Sequence, residues 1–185
     1  MDAAARRQVL VEKAKSNHQR RQREELLNRL PPHLANILGE CICIYSVEMD
    51  QVVRRFLPFN SSGIGAERVM PPQYHCVEVA WESEMFDLAA RLVVPRDAGK
   101  AFLLLNPSAD VRFGAPVFVV DFQWAAPLLK ELWPYSTGGL FLVEQDLQAG
   151  LLIDTYIGYL SEDLNPREIV YEVALWPTAP EVSEA

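Results

Sequence analysis

The chain has 185 residues, enough for one domain that buries a core without disulfide or metal staples. Half of its residues are hydrophobic and 23% are charged, which excludes a disordered chain, and the odd count of three cysteines argues against a disulfide framework. The net charge of −8 divides unevenly: residues 1–30 carry eight basic and four acidic side chains, near +4, whereas residues 31–185 carry nine and twenty-one, near −12.

Residues 3–30 read as one long helix, rich in Ala, Arg, Gln, Glu and Leu and ended by Pro31-Pro32. Its apolar positions lie at the two ends, Val9, Leu10 and Ala14, then Leu26, Leu27 and Leu30. The centre, Lys15 to Glu25, has none, so the pattern predicts a basic arm that docks by its ends or projects from the body. A short helix over 33–38 stops at Gly39, and the apolar run from Cys41 to Val47 predicts a buried strand. A helical turn is expected over 50–57 and a loop over 60–65.

Residues 74–81 alternate as a strand does, and Ser83 suits the N-cap of a helix running to Leu92. Strands follow over 101–105 and 116–121, separated by a loop, and then a helix over 124–133 with Pro127 in its first turn. The last third predicts strands at 140–144, 151–160 and 168–176. Their short links make an antiparallel meander. The fold class is α+β: a mixed sheet with that meander, packed by several helices, one of them the long N-terminal helix. The chain divides into a basic helical arm (1–30), an acidic α+β domain (31–177) and a flexible acidic tail (178–185).

Catalytic signatures are missing. There is no phosphate-binding glycine loop beyond the fragment Gly63-Ile-Gly65, no metalloprotease motif and no nucleophile elbow. Cys41, Cys43, His75 and Cys76 suggest a metal site, but 75 and 76 point to opposite sides of a strand, and buried packing accounts for free cysteines. No metal or other cofactor is expected. The same divergence separates Cys76 from His75 as a nucleophile and base, leaving His33 as the other base to consider.

The carboxylates Glu78, Glu82, Glu84 and Asp87 cluster, with Glu78 and Glu82 on one strand face. Asp121 ends a buried strand, where it either caps the next helix or serves a function. Asp154 and Tyr156 face one way on the penultimate strand, and Trp176 joins an apolar and acidic face on the last. Tyr and Trp are common interface anchors.

The expectation is a non-enzymatic protein that binds or inhibits a basic partner through Glu78, Glu82, Glu84, Asp87, Asp154, Tyr156 and Trp176. A bacterial immunity protein that neutralises a cognate toxin is its concrete form, and a secretion-type chaperone is a close variant. Acidic surfaces steer basic partners and repel nucleic acid and anionic membrane. The alternatives are an enzyme using Glu78, Glu82 and Asp121 with His75 or Cys76 nearby, and a structural subunit whose arm packs on another chain. Without a secretory leader or an apolar span, the expected compartment is the cytoplasm.

Overall fold

The structure is a computed structural model that describes residues 3–49, 75–79, 81–92, 99–105, 114–136, 139–146, 149–158 and 168–176. The expected turn over 50–57, the loop over 60–65, all but Gly114 of the loop expected over 106–114, and the tail over 178–185 lie outside the described residues. The protein is α+β, with a long N-terminal helix and a seven-stranded sheet.

Helix α1 spans Ala3–Arg29, and α2 spans Pro32–Glu40 with proline at its first position, where a missing N–H costs nothing. Strand β1 (Ile42–Tyr45) is followed by a 3-10 turn over Ser46–Glu48. Strand β2 is His75–Val79, and helix α3 is Glu82–Leu92. The helix therefore starts one residue before Ser83, which lies inside its first turn and is not the cap. Strands β3 (Lys100–Leu104) and β4 (Pro116–Asp121) fall where the apolar runs predict them.

The expected helix over 124–133 is instead a chain of short turns from Phe122 to Tyr135, alternating α and 3-10 geometry. Pro127 and Pro134 cause the break, because each removes an N–H that a continuous helix would bond. Strands β5 (Leu140–Glu144), β6 (Gly150–Gly158) and β7 (Glu168–Trp176) form the expected meander.

The strand order is β1-β4-β3-β5-β6-β7-β2, and each pairing is antiparallel, so the sheet is uniformly antiparallel where a mixed one was expected. β1 and β2 are its two edges. One face carries the larger core: Leu103, Phe118, Val120, Leu140, Leu142, Leu151, Ile153 and Val173 pack with Leu26 and Leu30 of α1, Leu34 and Leu38 of α2, and Met85 of α3. The other face holds a second cluster with Leu104, Val117, Phe141, Val143, Leu152 and Ala174. Burial on both faces explains why β4 and β5 read as continuous apolar runs and not as alternation.

Helix α1 follows the expected docking at its C-terminal end, where Leu26 and Leu30 are buried, and departs from it elsewhere. Its apolar start is exposed, with Val9, Leu10 and Val11 between 55% and 67% accessible, and its polar centre meets the body. Lys15 pairs with Glu48 at 3.4 Å, the Gln19 amide donates to the same carboxylate, and Arg23 donates to the Gly39 carbonyl at 2.6 Å. Gln19 is buried. The centre docks because the end of α2 and the turn after β1 present oxygen acceptors to it, and a buried polar group is tolerated when so matched.

Gly114 closes the β1–β4 ladder. Its φ of +81° lies in the left-handed region, and a Cβ there would sit 2.7 Å from the Val47 backbone nitrogen. Beside it, Ser46 N–H donates to the Ala115 carbonyl while Ala115 N–H donates to Ser46 Oγ, both at 3.0 Å. Gly114→Ala is expected to lower stability by about 1–3 kcal/mol, measured as the shift in a denaturation midpoint.

Candidate partner-binding site

The α3 flank gathers three of the expected residues. Buried Met85 and Ala89, four apart, fix the inner face of α3 against the core. An edge-to-face contact of Phe86 with Trp133, 6.3 Å between centroids, and a tilted one of Trp133 with Tyr171 at 6.4 Å tie it to β7. The opposite face is then forced outward, and Ser83, Glu84 and Asp87 on it are exposed; Glu82, on the same stripe as Met85, is exposed because it opens the helix. Among the described residues no ion pair occupies these three carboxylates. Acids in a first turn favour the helix dipole, which accounts for Glu82 and Glu84 but not for their neighbour Trp81. Trp81 is 67% exposed in the bend between β2 and α3. The sequence reading missed it by treating it as the end of an alternating strand. Its signal was an aromatic followed at once by Glu-Ser-Glu.

Glu78 does not share a strand face with Glu82, because β2 ends at Val79 and Glu82 opens α3. Glu78 belongs to a different row. The register sets Asp154 of β6 opposite Glu172 of β7, and Glu172 opposite Glu78 of β2. Three acidic positions thus stand abreast, on the sheet face away from the helices. Glu172 is a further residue the sequence reading did not single out, since only the pairing register reveals it. Asp154 Oδ1 accepts the Thr155 N–H at 2.8 Å. Tyr156, paired with Val170, and Trp176, paired with Gly150, hold positions on the same face as the acidic row. The expected residues therefore fall into two groups around the β2 edge: Glu82, Glu84 and Asp87 on α3, and Glu78, Asp154, Tyr156 and Trp176 on the far sheet face.

The residues of the catalytic alternative are spread out. Asp121 on β4 and Glu78 on β2 are five strand spacings apart, about 24 Å. Asp121 stands at the cap position of the helical turns, makes no side-chain cap bond, and pairs with Lys100 at 2.8 Å while more than half exposed. His33 pairs with Glu131. Cys41 and Cys43 pack against the helix-side core, whereas His75 and Cys76 belong to the opposite sheet edge, about 29 Å across. Among the described residues no group of three His, Cys, Asp or Glu is placed to hold a metal.

Burial pushes both Cys41 and Cys43 thiols up, outweighing Lys100 beside the first and Arg23 beside the second. Burial likewise raises the Tyr45 hydroxyl to about 12, with Cys43 adding to the shift. An unfolded tyrosine ionises near 10, so the unfolded state loses its proton first as pH rises. The stabilising contribution is therefore complete below about pH 10 and is lost between there and about 12. Subtracting a Tyr45→Phe tyrosinate titration from that of the parent protein is expected to isolate a late-ionising group. A difference curve centred near 10 would contradict the partly buried placement of Tyr45.

The chain belongs to the YokC prophage protein family, which it matches over residues 1–175. It is similar to the SPbeta prophage-derived uncharacterized protein YokC of Bacillus subtilis (strain 168), with 25% identity over 173 residues, covering 92% of this chain and 97% of the relative. No solved structure matches it. Among the described residues no helix is long and apolar enough to cross a membrane.

Proposed function

We propose that the protein is a non-catalytic binding protein that recognises a basic protein partner through the α3 flank. The observation that carries this reading is Trp81, an exposed aromatic set among Glu82, Glu84 and Asp87 on a rigidly packed helix. An aromatic anchor supplies apolar contact area, and the carboxylates that follow it on α3 select for positive charge and speed encounter. The net charge near −12 over residues 31–185 acts in the same direction over longer range.

An immunity protein that neutralises a toxin is the concrete form of this proposal, because a protein that acts on nucleic acid presents a basic surface to be blocked. A secretion-type chaperone uses the same chemistry. Either works in the cytoplasm, in keeping with the free thiols Cys41 and Cys43. The exposed first turns of α1 favour a second reading, a subunit of a larger assembly whose arm packs on another chain.

Changing Glu82→Gln, Glu84→Gln and Asp87→Asn together is expected to reduce partner capture in the native host by on the order of tenfold or more, and to flatten its salt dependence. Unchanged capture at both low and high salt would refute the reading.

A further inference from the structure

Residues 4–14 of α1 form the most exposed helical surface among the described residues, since every one of them is accessible. From Lys15 onward the helix is fastened to the body, so the free turns continue a helix already nucleated and are held in one direction. They carry Arg6, Arg7 and Lys13 against Glu12. They also carry Val9, Leu10 and Val11, three of the large apolar side chains left in solvent. An arm that is both basic and apolar is the complement of the α3 flank, where Trp81 stands among carboxylates.

The arm cannot satisfy its own flank. It is anchored at Glu48, just after β1, and α3 packs chiefly on β7, five strand spacings across the sheet, about 24 Å away. From Lys15 back to Ala4 the helix extends only about 17 Å, and it is anchored at Lys15 and Gln19. The nearest available acidic surface of the right composition therefore belongs to a second molecule.

We propose that the free turns of α1 are a self-association strap, in which residues 4–14 of one copy lie against the Trp81 and α3 carboxylate flank of a second copy. Leu10 and its neighbours cover Trp81, and Arg6, Arg7 and Lys13 meet Glu82, Glu84 and Asp87. This rests on the reading of that flank as a site for basic partners and names one occupant of it. An external partner then competes with the strap for the same surface.

The test uses the full-length chain and its solution mass by sedimentation or light scattering over a dilution series at low and high salt. The parent protein is expected to rise above the 20.9 kDa of one chain as concentration increases, and to return to it at high salt. Two exposed-surface variants separate the contact from the fold: Arg6→Glu with Arg7→Glu on the arm, and Glu82→Lys with Glu84→Lys on the flank. Each alone is expected to lose association while keeping the parent circular dichroism spectrum. Mixed in equal amounts they restore it, because the reversed arm meets the reversed flank and the unchanged arm meets the unchanged flank.

A parent chain that stays monomeric, association that survives both charge reversals, or a mixture that fails to recover would each overturn the proposal. Capture of a heterologous basic protein by a monomeric chain would sink the strap and leave the flank's proposed function standing.

Discussion

Phe118→Ala is expected to cost about 3–5 kcal/mol, the largest stability loss of any substitution considered. The ring is fully buried in the helix-side core, and its position on β4 stands opposite Cys43 of β1 and Leu103 of β3. It is also where the helices, β1 and the centre of the sheet converge, so its removal leaves a cavity that β-sheet backbone cannot collapse to fill. Val119, one residue on, is half-buried and belongs to the other face. Val119→Ala should therefore cost distinctly less. Chemical denaturation of the two variants checks the strand register itself, because a slip of one residue would exchange their faces and reverse the order.

Trp81→Ala is expected to do the opposite: to leave stability within about 0.5 kcal/mol and to weaken partner binding by about 2 kcal/mol or more, roughly thirtyfold. The separation follows from exposure. A side chain that is 67% accessible contributes little to the folded core, while an aromatic at the centre of an interface gives up its hydration only on binding. A variant that melts early would show that Trp81 is a packing residue. One that binds normally would remove the anchor from the proposed site.

Much of the architecture was legible in the residue pattern because it depends on local chemistry. The runs in β4 and β5, the prolines after α1 and the short links of the meander each mark an element by composition or by a missing donor. What the pattern hid depends on tertiary register. Nothing local to Glu172 shows that it stands between Asp154 and Glu78, since that follows only from the pairing of three strands, one of them distant in sequence. The docking of the α1 centre was hidden for a related reason. A polar helix centre looks solvated until the Gly39 carbonyl and the Glu48 carboxylate are set beside it. Trp81 was hidden by the boundary between β2 and α3, where a strand period and a helix period each give it a different face.

Site-specific photo-crosslinking tests most directly whether the Trp81 flank meets a basic protein. A photoreactive phenylalanine analogue in place of Trp81, expressed in the native host, is expected to form a covalent adduct with a heterologous protein of net positive charge. The yield should fall when salt is raised before irradiation. An adduct-free position 81, or one that joins only acidic proteins or nucleic acid, would contradict such a contact.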